Sequence, residues 1–229
     1  MYNVVVMINV TTSIYFGGII MKVLVVGSNG KEGSLIVSES VKRGFEVTGL
    51  GLSDNKSEVK NFIKKSVFDL TKEDVSGYDV VVDAFGAWTL ETIPNIGNAM
   101  IHLADILSGT KTRLIVVGGA GSIYVNEEKT VTVDMGPDFP EDWKPLSASH
   151  GRGLNYLRQT TDLNWTYISP ACNFVSDGER TGSYKLGGEL LTLNSKGESV
   201  ISYADYAICL VDEIENGTHN KQRISVVSK

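Results

Sequence analysis

The run from Val23 to Gly33, Val-Leu-Val-Val-Gly-Ser-Asn-Gly-Lys-Glu-Gly, sets four apolar residues directly against three glycines at three-residue intervals. That order predicts a strand, a tight turn and a helix start, a unit that opens an α/β sheet and cradles a phosphate. In this reading Gly27 turns the chain off the strand, Gly30 leaves the backbone open to a pyrophosphate, and Gly33 lets the helix pack close. Asn29, Lys31 and Glu32 fill the turn. The unspent N–H groups and positive dipole end of the helix then face the phosphates. The helix runs on amphipathically through Leu35, Ile36, Val37 and Val41 to Gly44, a C-cap glycine.

Downstream, the same alternation repeats. Phe45 to Leu52 reads as a second strand, Val59 to Ile63 as a short helix, and Ser66 to Phe68 as a third strand. Asp79 to Ala84 is a fourth strand closed by Phe85-Gly86, and Glu91 to Leu107 places Ile96, Met100, Leu103, Ala104 and Leu107 on one helical face. Leu114 to Val117, Lys144 to Arg158 and Trp165 to Ser169 read as strand, helix and strand; Tyr203 to Glu215 and Arg223 to Val227 close the chain as helix and strand. Such alternation predicts a doubly wound, mostly parallel α/β sheet, with ligands at the strand C-terminal ends. Thr181 to Asn194, glycine-rich with extended runs at Ser183 to Leu186 and Leu190 to Leu193, reads as a small hairpin flap over that crevice.

At 229 residues the chain is long enough for one such domain, placed at 21–229. Residues 1–20 carry no charge, and Asn3, Asn9, Thr11, Thr12 and Ser13 break their apolar run. They suit neither a membrane span, which needs about twenty mostly apolar residues, nor a secretory signal with a basic start. Met21 is therefore a candidate native start, with 1–20 an extension outside the fold. A net charge of −6 without a basic cluster argues against nucleic acid as a partner. The two cysteines, Cys172 and Cys209, form neither a CxxC site nor a disulfide framework, which suits the cytoplasm. Asp138, Glu141 and Asp142 have no metal-cage spacing, so no metal site is expected.

Several stretches together resemble the atypical short-chain dehydrogenase/reductases of the NAD(P)H-binding, NmrA-like group, which includes candidate NADH-flavin reductases and biliverdin reductase B-like enzymes. They are Val26-Gly-Ser-Asn-Gly-Lys-Glu-Gly33, Val67-Phe-Asp-Leu-Thr71, Asp83-Ala-Phe-Gly-Ala87, Val116-Val-Gly-Gly-Ala-Gly-Ser122, Trp165-Thr-Tyr-Ile-Ser-Pro170, Gly178-Glu-Arg-Thr-Gly182 and Ile201-Ser-Tyr-Ala-Asp-Tyr206. The resemblance implies a Rossmann-like fold and a nicotinamide dinucleotide lined by Val67, Ala84, Phe85 and Gly86, with Pro170 walling the nicotinamide. Pro170 serves equally as a strand stop. The resemblance is less specific for reaction, because relatives include reductases and cofactor-sensing regulators.

Two departures narrow the reading. Cofactor choice is usually set where the second strand ends, by an acid for NAD or an arginine for NADP. Here Gly51-Leu52-Ser53 supplies neither, and Ser66 stands where relatives carry an acid near the adenine. Lys31 and Lys56 are the cations available to a 2′-phosphate or, equally, to solvent; with Ser53 beside them they lean toward NADP, NAD remaining open. The Tyr-x-x-x-Lys pair of standard members is absent, since Tyr156 is followed four residues later by Thr160. A carbonyl substrate needs a proton donor for its developing alkoxide, whereas a flavin can take its proton from water. The favoured activity is hydride transfer to a planar acceptor such as a flavin or quinone. A non-enzymatic redox sensor is the first alternative, a sugar-nucleotide epimerase or dehydratase the second. His150, read at the entrance of its helix, is the candidate proton relay or substrate contact, a helix-start surface residue being the plain alternative, and Ser122, after the fifth strand, is the candidate substrate-orienting hydroxyl. Turn chemistry is the plain alternative for Ser122. Tyr124 could stack on the acceptor or merely cover the crevice, and Arg180 could meet an anionic substrate or cofactor phosphate or form a salt bridge with Glu179 or Asp177. Monomer and homodimer both remain open.

Overall fold

The structure, a computed structural model, describes residues 20–229. The extension expected at 1–20 lies, apart from Ile20, outside the described residues. In chain order the elements are β1 (Lys22–Val26), α1 (Lys31–Lys42), β2 (Glu46–Gly51), β3 (Asn61–Lys64), β4 (Val80–Asp83), α2 (Pro94–Leu107), β5 (Arg113–Val117), α3 (Lys144–Gln159) and β6 (Asn164–Ser169). There follow β7 (Asn173–Val175), β8 (Tyr184–Gly187), β9 (Val200–Ser202), α4 (Tyr203–Asn216) and β10 (Gln222–Ser228).

Eight strands form one sheet in the order β3-β2-β1-β4-β5-β6-β10-β8. Every pair is parallel except β10 with β8. This is the mostly parallel, Rossmann-like sheet expected from the alternation. Because β2 and β3 lie on one side of β1 and β4 to β6 on the other, the strand order reverses between β1 and β4, where such sheets bind ligands. Ile36 of α1 and Leu210 of α4 pack on one face of the sheet, Met100 of α2 and Leu154 of α3 on the other. Burial from both sides is why Val23 to Val26 and Val80 to Val82 are uninterrupted apolar runs.

Three expectations are corrected. The short helix read at Val59 to Ile63 gives way to β3, because Phe62 and Ile63 extend beside the backbone of β2, pairing with Gly49 and Leu50. The third strand read at Ser66 to Phe68 is instead a 3-10 turn, Val67–Asp69, capped where Ser66 Oγ accepts the Phe68 N–H at 3.3 Å. The flap is not a hairpin. Its first run is β8, which pairs with Ser225 to Ser228 of β10 and satisfies an otherwise open sheet edge. Its second run lies beside the β5–α3 loop through a bridge between Leu190 and Tyr124. β7 and β9, a parallel pair, left no signal in the sequence because each is only three residues long.

Candidate dinucleotide site

The glycine turn joins β1 to α1 at the reversal point. Gly27 has φ +75, a left-handed conformation that other residues rarely adopt, and a Cβ there would lie 2.9 Å from the Ala84 carbonyl carbon. A Cβ at Gly33 would lie 2.9 Å from the Gly27 carbonyl carbon, so α1 rests directly on the turn. Gly30 is different: it is exposed, its N–H donates to the Gly27 carbonyl at 2.9 Å, and it occupies the N-cap of α1 without a capping side chain. The first-turn N–H groups are thus left for an anion, in a turn whose two other glycines are fixed by packing.

Asn29 ties this turn to the segment after β2. Its Nδ2 donates to Ser53 Oγ at 3.0 Å and to the Asp54 carbonyl at 2.9 Å, and its Oδ1 accepts the Lys56 N–H at 2.8 Å. The structure therefore brings Asn29, Ser53 and Lys56 together, with Lys31 exposed on the same turn. Beyond β4, Ala84 and Phe85 are half-buried and Gly86 is exposed, while Phe85 meets Phe68 edge-to-face at 6.1 Å. Val67 is buried beneath them. These residues follow the C-terminal ends of β2, β3 and β4, and Pro170, buried, follows that of β6. A helix N-terminus without a capping side chain, at the point where the strand order reverses, suits an anion such as a dinucleotide's pyrophosphate.

A family model described as NAD(P)H-binding matches residues 27–217 of the chain. The chain belongs to this NAD(P)H-binding family. It is 42% identical over 211 residues to the uncharacterized protein YwnB of Bacillus subtilis, covering 91% of this chain and 99% of that one. Among solved structures it is similar to a candidate NADH-flavin reductase from Streptococcus pneumoniae, with 51% identity and a TM-score of 0.89, covering 91% of this chain and 100% of that one. A candidate epimerase from Bacteroides thetaiotaomicron superposes with a TM-score of 0.80 at 29% identity, covering 92% and 98%.

Against that family frame, the remaining expected residues divide. His150 does not stand at the entrance of α3 but in its second turn, because the helix already begins at Lys144 with Pro145 in its first turn. Its ring packs edge-on to Tyr167 at 6.5 Å between centroids, and the Tyr167 hydroxyl lies 3.4 Å from Nδ1. Burial pushes the imidazole down to about 4, so it is neutral at pH 7. Tyr167 itself is pushed up to about 12 by burial, and its oxygen accepts the Gly119 N–H at 2.8 Å.

Ser122 Oγ is buried and has no hydrogen-bond partner, while its carbonyl accepts from Arg223 at 3.3 Å. Ser122 and His150 make no hydrogen bond to each other. Tyr124 is half-buried, with the Arg223 guanidinium 5.9 Å from its ring centroid, so one ring face carries that cation. Arg223 is the hub that sequence reasoning missed: fully buried, it pairs with Glu189 and holds the second flap run against the Ser122–Tyr124 loop. The salt bridge expected for Arg180 has another partner: its guanidinium pairs with Glu39 of α1 at 2.9 Å, not with Glu179 or Asp177. The Gly-Glu-Arg-Thr-Gly stretch is pinned from α4, where the buried Asp205 carboxylate accepts the N–H groups of Thr181 and Gly182 at 3.0 and 2.9 Å. A recess of about 560 Å³ on the outer side of α3, lined by Asp134, Ser147, Arg152 and Tyr156 among others, includes no residue of the phosphate turn.

The group most clearly missed is Asp83. It ends β4, only 4% exposed, and burial raises its carboxyl to about 7. An acid closing an all-valine run in a central parallel strand was a visible signal, since such strands are buried on both faces. Glu32, expected at the cofactor, is buried as well. Neither of its oxygens has a hydrogen-bond partner, and burial lifts its carboxyl well above the usual range.

Proposed function

We propose that this chain is an NAD(P)H-dependent reductase that passes hydride to a planar, conjugated acceptor, a flavin or quinone. When bound, the dinucleotide supplies the hydride. The chain's part is to hold and orient: the α1 N-terminus takes the pyrophosphate, Lys31 and Lys56 favour NADPH through its 2′-phosphate, and Pro170 backs the nicotinamide. Proximity of two planar rings then contributes most of the rate.

One observation carries the acceptor class. Tyr156, the tyrosine of α3 nearest in sequence to a catalytic tyrosine's place, gives its hydroxyl to Asp105 of α2, and that bond raises its pKa. It is engaged between two helices and has no lysine to activate it, so this tyrosine is not prepared to protonate a carbonyl oxygen. A flavin or quinone needs no such donor, since water supplies its proton. The reading fits a cytoplasmic reaction with a small-molecule partner.

The experiment is steady-state oxidation of NADPH and NADH with FMN, riboflavin and a soluble quinone. Turnover of a planar acceptor, with simple aldehydes and ketones inert, is expected. Tight NADPH binding with no turnover of any acceptor would instead make the chain a redox sensor, and carbonyl turnover would reverse the acceptor assignment.

A further inference from the structure

Two buried carboxyls flank the phosphate turn. Glu32 is the second residue of α1, and its charge is felt by Tyr203 and Tyr206 of α4, on one face of the sheet. Asp83 belongs to the other face. Across the C-terminal edge its register partners are Val26 of β1 and Val116 of β5, and Val116 in turn pairs with Tyr167 of β6. The row therefore reads Val, Asp, Val, Tyr, one carboxyl between two apolar neighbours at the point where the strand order reverses. One Asp83 oxygen accepts the Phe85 N–H at 3.1 Å, and the carboxyl makes no other hydrogen bond. The next residue, Ala84, is the backbone against which Gly27 packs, so the carboxyl stands one residue from the start of the phosphate turn.

Among the described residues it makes no salt bridge. Tyr167 of β6, one strand beyond Val116, is the titratable group its charge reaches, with His150 of α3 behind that phenol; the neighbouring turn carries Glu32 and the exposed Lys31, and α2 carries His102. The His102 ring is hydrogen-bonded to the Leu70 carbonyl at 3.0 Å. Arg158 and Arg223, which act on Tyr167, are both paired with Glu189. An ionised Asp83 would face the negative charge of a bound pyrophosphate across a poorly screened, water-poor edge. A neutral carboxylic acid would instead offer an O–H donor.

We propose that Asp83 engages the dinucleotide as the neutral acid, giving its O–H to a dinucleotide oxygen, so that binding above neutral pH takes up a proton at Asp83. The inference rests on the dinucleotide reading above. Burial already holds the carboxyl near neutrality in the free protein, so a modest further bias from the ligand protonates it.

The test is calorimetric titration of the whole chain with NADH at pH 8, in phosphate and in Tris, whose ionisation enthalpies differ. NADH lacks the 2′-phosphate, whose own proton titrates near pH 6 and would confuse the count. Uptake of at least about half a proton per NADH is expected, with Kd rising up to about tenfold per pH unit between pH 7.5 and 9. Asp83→Asn keeps an acceptor for Phe85 and a neutral donor, and it should bind NADH with no proton uptake and a flat pH profile. Measurable NADH binding by the unmodified chain without proton uptake overturns the proposal alone, as does uptake that survives Asp83→Asn. No binding of NADH or NADPH at pH 6.5 overturns the dinucleotide reading and this proposal with it.

Discussion

Replacing Asp83 by Asn should stabilise the protein at alkaline pH and do little at acid pH. The carboxyl, ordinarily near 3.8, is raised to about 7 in the folded state, by burial against which the single Phe85 N–H bond is too weak a counterweight. The folded state thus holds this proton more tightly than the unfolded chain does. Its contribution is fully present below about pH 3.8 and is lost as pH rises through about 7. At 1.36 kcal/mol per pK unit, the ionised group costs the folded state on the order of 4 kcal/mol at pH 8, with local relaxation reducing this. Asn is nearly isosteric, accepts the same N–H and cannot ionise. Urea denaturation of both proteins at unit steps from pH 4 to pH 9 measures the difference. Asn should gain between about 1 and about 4 kcal/mol relative to Asp across that range, with the gain complete by about pH 8. A difference that stays constant from pH 4 to pH 9 would refute the claim that Asp83 is buried without a compensating charge.

The other predictions concern the turn and the acceptor. Gly33→Ala puts a methyl 2.9 Å from the Gly27 carbonyl carbon and should destabilise the fold by roughly 1–3 kcal/mol in the same denaturation assay. The Lys31→Ala, Lys56→Ala double variant should lose roughly 1.5–3 kcal/mol of NADPH affinity per broken contact while NADH affinity holds, and equal losses for both would remove the NADP preference. His150→Asn and Ser122→Ala should each lower flavin turnover by less than about tenfold, since a positioned general acid contributes roughly a hundredfold or more. With its imidazole held near 4, His150 should also leave no limb between pH 6 and 8 in the turnover profile of the unmodified chain.

The fold's centre was legible because its strands are buried on both faces. Val23 to Val26, Val80 to Val82 and Leu114 to Val117 read as unbroken apolar runs, and the glycines between β1 and α1 show their purpose in spacing alone. The periphery was not. β3 takes its strand form from the edge it covers, beside β2, and the extended run that became β8 was legible while its partner, β10, was not, because local pattern does not encode pairing across the chain. Side-chain pairing across the sheet was equally invisible. The link from Arg223 to Glu189 spans 34 positions and that from Arg180 to Glu39 spans 141. Asn29 was singled out by its place in the glycine turn, but its partners Ser53, Asp54 and Lys56 lie 24 to 27 positions away and were as invisible as the ion pairs. Asp83 was passed over because its acid was read as part of a motif and not as a charge ending a buried strand.

The central claim is that the exposed glycine at the N-cap of α1 is where a dinucleotide pyrophosphate meets the backbone. Fluorescence titration of Gly30→Asp with NADPH, beside the unmodified chain at pH 6.5, addresses it directly. A carboxylate there would stand against the phosphates, yet its Cβ meets only the Gly27 carbonyl oxygen at 3.1 Å, a contact the turn accommodates with a small shift. The account predicts a folded variant, checked by an unchanged circular dichroism spectrum, whose NADPH affinity falls at least a hundredfold, on the order of 3 kcal/mol. A folded variant that binds NADPH as tightly as the unmodified chain would contradict it.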